Sequence, residues 1–489
     1  MIKEFSRNDL IRFWLPLAAI SIFGFLLRFW LAFGPFNNQG FAWDTATFGY
    51  WIDVINTNGL DAYAQEPAIN YPPAFAEVLV AINWLAGVLG LTPYDLIKLP
   101  ALIADIGIAV VLALAGKKWF SGRIGVWAVA LYLVLPITWY DSAIWGQVDS
   151  LSALPMLIAV VLLIDKKPEW SLVAFTIAVL TKPQGALILL ILLPVLIGQF
   201  AARELRWWRS LTSLAAALAT FSLVAVPWSL EGYVARYVSE DLARIPVLGD
   251  LLGLMVQYIS TAGMFPVLTA NAYNIWATAS DMPLATQITS GVVYWTTDDY
   301  PVFGIPSGVI GGALFLAVAA TIFWILIRRR DAQSVLTGFA LLLVAFFALP
   351  TRVHERYLVQ AFAVLALVWA AKAWHRAALG VLAVANTVNL HAILAQDLRV
   401  ETVPYVSAPA ASTEGLFTSA RTPVIGAYMP EDYGLSWVRM DAQWAREPWV
   451  VYLVVLIHTA SFGVLLLQFI KRKNRTPITT PISNRKEEQ

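Results

Sequence analysis

Twelve long apolar runs dominate this chain of 489 residues. About 20 apolar residues in a helix span the ~30 Å hydrocarbon layer of a bilayer. There every backbone N–H and C=O must be satisfied within the protein, which leaves a helical bundle as the architecture. The runs lie at 13–33, 95–116, 124–140, 149–165, 170–181, 184–199, 211–230, 305–327, 333–350, 356–373, 376–395 and 449–470. With 59% hydrophobic residues and a mean hydropathy of +0.67, the chain reads as an all-α polytopic membrane protein of about 12 transmembrane helices (11 to 13).

Lys and Arg set the orientation, because they collect in short cytoplasmic loops. "KKWFSGR", the "KK" at 166, "RELRWWR", the "RRR" at 328 and "KRKNR" fall on one side, with both termini, and most acidic residues fall on the other. The N-terminal run has basic residues before it and no small-residue cleavage site, so it reads as an uncleaved first span. Residues 74–90 are apolar enough for a short span, but a crossing there would swap every later basic loop. They are expected to form a re-entrant or interfacial helix returning to the outer face. The run at 170–181 is only ~18 Å long as a helix. The "LTKPQG" after it is therefore expected below the outer surface, buried in protein or lining a cavity.

The domain plan is a transmembrane module over 1–395 with outer loops 34–94 and 231–304 carrying juxtamembrane helices. An outer loop of unknown role follows at 396–448, then a last transmembrane helix and basic tail at 449–489. The net charge of +1 offers no basic excess to collect nucleic acid. The absence of Cys excludes disulfides and thiolate metal sites. No Walker loop, GxGxxG or HExxH is present, so neither a cofactor nor zinc chemistry is expected.

Four polar clusters remain on the outer side, each with a plain structural reading. Asp44 in "GFAWDTATFGYWI" reads as a helix N-cap or as a functional carboxylate. In "YDSAIWGQVDS", Asp141, Gln147 and Asp149 read as loop and cap residues or as site residues. Lys182 of "LTKPQG" reads as a snorkelling lysine or a buried cation. In "LPTRVHERYLVQ", Glu355 pairs with Arg352 or Arg356 at a helix start, or the group binds an anion. Trp43, Trp51, Trp145 and Trp276 read as an interfacial aromatic belt or as sugar-stacking surfaces.

In this order and spacing, the Asp after the first span, the "YPP" at 71–73, "WGQVDS", "KPQ", the "NAYN.W" stretch and "VHER" resemble the polytopic GT-C glycosyltransferases. The branch resembled is that of the dolichyl-phosphate-glucose-dependent glucosyltransferases and their uncharacterised prokaryotic relatives. The resemblance covers about 10–395; "VHER" stands where eukaryotic members have a "HEK"-type motif, and 396–448 matches nothing in it. It implies an inverting glycosyltransferase taking a sugar from a polyprenyl-phosphate donor to an acceptor hydroxyl on the outer face. Mannose, glucose and arabinose are all used in the superfamily, so a mannosyl- or glucosyltransferase is among the expectations. The acceptor would be a lipid-linked glycan, a glycolipid or a protein.

On that resemblance Asp44 is the base. Lys182, His354, Arg356 and, second, Arg352 hold the donor phosphate. Glu355, Asp149, Gln147, Trp145, Gln184 and Asn271 support the site or contact substrate, with Asn274 beside them. No metal is required, although Asp44 with Asp149 offers oxygen ligands to a divalent cation. A monomer in the plasma membrane is expected, its active site facing outward (the lumen of the endoplasmic reticulum in a eukaryote). The rival classes are a secondary transporter with 12 spans and a non-catalytic membrane scaffold. Against the transporter, the two halves do not match in hydropathy and the ionisable clusters gather on one side.

Overall fold

The computed structural model of the protein describes residues 9–66, 69–263, 266–279, 286–289, 292–395, 422–424, 436–438 and 440–472. Its longer helices are α1 (Leu15–Phe33), α2 (Ala42–Asn58), α3 (Pro73–Leu89), α4 (Leu99–Trp119), α5 (Gly122–Val134), α6 (Asp149–Ile164), α7 (Pro168–Thr181), α8 (Leu189–Ala201), α9 (Trp208–Val224), α10 (Glu231–Tyr237), α11 (Leu248–Gly263), α12 (Ser307–Leu326), α13 (Ala332–Ala348), α14 (Val359–Val368), α15 (Ala373–Leu394) and α16 (Pro448–Lys471). Proline opens α3, α7 and α16, where its missing N–H costs nothing.

Each expected span coincides with helix. Among the described residues seven helical runs are long and apolar enough to cross a membrane, and α5 with Pro136–Trp145, bent by 51°, makes an eighth. The other four, α6, α7, α13 and α14, have 16, 14, 17 and 10 residues. Nearly every residue of α13 and α14 is buried. Helices that are apolar all round are enclosed by the rest of a protein, and α13 and α14 are the enclosed helices of this bundle.

The basic connections meet at one end of the bundle. Lys118 pairs with Asp165, Lys166 and Arg330 with Glu204, Arg209 with Glu169, and Arg472 with Asp331. These are the segments that the positive-inside rule assigns to the cytoplasm. At the other end, Lys98 donates to the Phe36 carbonyl at 2.9 Å, so the chain enters α4 at the level where it left α1. Hence α2 and α3 together make no net crossing. We expect a cysteine at Trp207, 73% exposed at the basic end, to resist an impermeant maleimide added outside, and one at Phe303, 99% exposed at the other end, to react. The chain has no cysteine of its own. The reverse labelling pattern would invert this orientation.

Inside the bundle, Arg28 and Asp105 form a buried pair at 2.6 Å. Tyr132 and Ser142 donate to the Asp105 carboxylate, and Arg28 also reaches Thr138 and the Leu133 carbonyl. Charges at membrane depth persist when fully paired in this way. The network ties α1, α4 and α5 to the π-helical turn Tyr140–Trp145, which carries the site. Most of 396–448 lies outside the described residues. Its last part packs at the end of the bundle opposite the basic connections: Ser436–Trp437 pairs in parallel with Gln39–Gly40, and Arg446 donates to the Ala392 carbonyl.

Candidate functional site

The helix that carries Asp44 does not use it as a cap. The N-cap of α2 is Phe41, in extended conformation, and Asp44 lies within the first turn. Its carboxylate turns away from the helix: Oδ2 accepts from Trp145 Nε1 at 2.7 Å and from Gln147 Nε2 at 2.8 Å. Oδ1 faces Arg356 Nη2 at 3.7 Å. Backbone holds this contact in register, because the Phe41 N–H donates to the Trp145 carbonyl and the two rings lie 4.5 Å apart. Gly146 makes the turn between the two donors at φ 85, a conformation side chains disfavour. A Cβ there would also crowd Thr45 Cγ2 at 3.2 Å.

A second pair lies beside the first. Asp149 opens α6 and accepts at Oδ1 from Lys182 Nζ at 2.7 Å and from Gln360 Nε2 at 3.2 Å, on α14. Both partners of the ion pair are buried, at 1% and 0% exposure. "LTKPQG" is thus buried in protein: Lys182 is extended at the end of α7, the 3-10 turn Pro183–Ile188 follows, and Gln184 is buried.

The third group comes from the "VHER" turn. Arg356 donates to Glu355 at 2.8 Å, and His354 Nδ1 lies 4.0 Å from the other Glu355 oxygen. Burial, with the Arg356 and Lys182 charges, holds His354 well below the usual imidazole range, so it enters the site neutral rather than as a fixed cation. Burial pushes Glu355 up, against the pull of Arg356.

Asp44, Trp145, Gln147, Asp149, Lys182, Glu355 and Arg356 are therefore brought together by α2, α6, α7, α14 and the turns before them. Arg352 is not among them. At φ 63 it points to Asp298, pairing at 2.6 Å, and to the Ala262 carbonyl. Asn271 reaches the site by its backbone, which bridges to His354, while its carbonyl accepts from Asn389. Asn274 and Trp276 donate to the Phe347 and Leu349 carbonyls and so cap the end of α13. The aromatic-belt reading fails for Trp51, Trp145 and Trp276, which are 1%, 0% and 4% exposed; Trp84, Trp207 and Trp449 are the exposed ones.

Tyr71 and Tyr357 escaped the sequence reading as site residues, whereas Asp141 stood in it as a loop, cap or site residue. Asp141 is buried, with no hydrogen-bond partner for either oxygen among the described residues. Tyr71 lies with its ring 5.3 Å from Lys182 Nζ, and Tyr357 with its ring 6.0 Å from the Arg356 guanidinium. The two tyrosines sit inside "YPP" and next to "VHER", and that adjacency was the available signal. Asp149 Oδ2, Glu355 Oε2, Gln184 Oε1 and Arg356 Nε are also buried without a hydrogen-bond partner among the described residues. Four carboxyl groups (Asp44, Asp141, Asp149, Glu355) thus surround two buried cations. Among the described residues no three His, Asp or Glu are grouped to hold a metal ion.

No family model matches the chain, and no curated protein matches it. Among solved structures it is similar to ArnT from Cupriavidus metallidurans bound to undecaprenyl phosphate, at 13% identity over 95% of this chain and 78% of that one, with a TM-score of 0.42. A likeness of that degree carries no argument about activity.

Proposed function

We propose that the protein is an inverting glycosyltransferase of the GT-C kind, moving a sugar from a polyprenyl-phosphate donor to an acceptor hydroxyl at the outer membrane surface. The observation that carries this reading is the meeting of Asp44 with Trp145, Gln147 and Arg356, beside the buried Lys182–Asp149 pair. A carboxylate with one oxygen fixed by two donors keeps lone pairs on the other for a substrate proton. That is what a general base needs. Arg356 and Lys182 are cations in a poorly hydrated site, suited to the charge that grows on a phosphate leaving group. Glu355 orients Arg356, and Asp149 with Gln360 fixes Lys182. His354 contributes as a neutral hydrogen-bonding group. The resemblance of "WGQVDS" and "VHER" to the glycosyltransferase motifs supports the same assignment.

The test is to incubate the purified protein with labelled polyprenyl phosphates carrying mannose, glucose or arabinose, together with membrane lipid extract. Label is expected to leave one of these donors, and Arg356→Ala is expected to abolish most of the transfer, since a charge-assisted contact of ~1.5 to 3 kcal/mol is lost. Arg356→Lys should recover only part, because a fork becomes a point charge. If no donor is consumed or bound, a transporter or scaffold is the better account.

A further inference from the structure

Resting on that reading, we infer that the hydroxyls of Tyr71 and Tyr357 complete the phosphate-binding site, donating hydrogen bonds to the oxygens of the polyprenyl phosphate that Lys182 and Arg356 attract. Tyrosines embedded in a protein ordinarily find a partner for the hydroxyl, and six tyrosines of this protein do so. Tyr63, Tyr132, Tyr233, Tyr258 and Tyr273 each donate to a named oxygen, and Tyr140 bonds to His391. The hydroxyls of Tyr71 and Tyr357 bond to none of the described residues, although both side chains are half-buried.

Their rings leave little freedom to turn elsewhere. Tyr71 packs on Trp51 and Phe75, with centroids 5.3 and 5.2 Å away, and Tyr357 stacks on Phe346 at 5.9 Å with planes 12° apart. The Tyr71 hydroxyl lies within electrostatic reach of Lys182, Arg356 and Tyr357, and the Tyr357 hydroxyl within reach of Lys182, Arg356 and Asp149. The two phenols thus flank the same pair of cations from different elements, Tyr71 from the loop before α3 and Tyr357 from the turn before α14. Four carboxyl groups already surround these cations. A neutral O–H can bind an anion there without adding a charge that the carboxylates would claim.

Tyr71→Phe and Tyr357→Phe remove the hydroxyl and keep the ring, so the melting temperature in detergent should stay near that of the wild type. The probes are undecaprenyl phosphate without sugar and the labelled polyprenyl-phosphate sugar. Each substitution is expected to weaken binding of both probes about tenfold or more. Wild-type affinity in both variants, with Arg356→Ala impaired, would overturn the inference and leave the proposed function standing. Weakening confined to the sugar-bearing probe would also overturn it, by assigning the phenols to the sugar. If the wild type binds neither probe, the functional reading itself falls, and the inference with it.

Discussion

Asp44→Asn is expected to lower sugar transfer by roughly 10²-fold or more, the scale of a lost general base, while leaving donor binding largely intact. The structure sharpens this contrast. Asp44 is not the N-cap of α2, so its replacement removes no cap. The Asn carbonyl can still accept from Trp145 and Gln147, which hold the native Oδ2. Only the oxygen facing Arg356 at 3.7 Å becomes an amide nitrogen, which cannot take a proton. Loss of the negative charge beside Arg356 also leaves that guanidinium freer for a phosphate. Donor affinity should therefore be kept or slightly raised as turnover collapses. Transfer and binding must be measured separately, with a melting curve as the folding control. If transfer stays within about twofold of wild type, Asp44 only positions Trp145 and Gln147. The base would then have to be sought among Asp141, Asp149 and Glu355, the other carboxyl groups around Lys182 and Arg356.

The bundle was legible because a bilayer leaves backbone polar groups no partner except the helix, so apolar run length translates directly into elements. The burial of Lys182 was legible for the same reason: a run too short to reach the surface puts its end inside the protein. The site was legible only as clusters. Nothing in the spacing says that Asp44 meets Trp145 and Gln147 about a hundred residues later, or that Asp149 meets Lys182. Those contacts arise from helices leaving and returning to one end of the bundle. Arg352 shows the limit most clearly. It is four residues from Arg356, yet a left-handed backbone at φ 63 turns it outward to Asp298. Backbone of that hand in a non-glycine residue has no pattern in the sequence. Trp51 and Trp276 were misread because an apolar ring looks alike in an interfacial belt and in a core. Tyr71 and Tyr357 were missed because an unbonded hydroxyl is a property of the neighbours.

The second large effect concerns the Lys182–Asp149 pair, where stability and function can be separated. Lys182→Met keeps a long side chain that can lie against Tyr71 but leaves Asp149 buried with Gln360 as its remaining donor. Removing one partner of a buried pair strands the other charge, at a cost of ~3 to 5 kcal/mol, so this variant should melt far below the wild type. Adding Asp149→Asn removes the stranded charge, and the amide can still accept from Gln360. The double variant is therefore expected to regain most of the lost stability, since a buried pair replaced on both sides is often near neutral. What it cannot regain is a positive charge for the phosphate. If Lys182 serves the donor, the double variant should fold and still bind undecaprenyl phosphate and transfer sugar poorly. Recovery of binding and transfer along with the melting temperature would make Lys182 a purely structural partner of Asp149 and leave Arg356 as the cation that holds the headgroup.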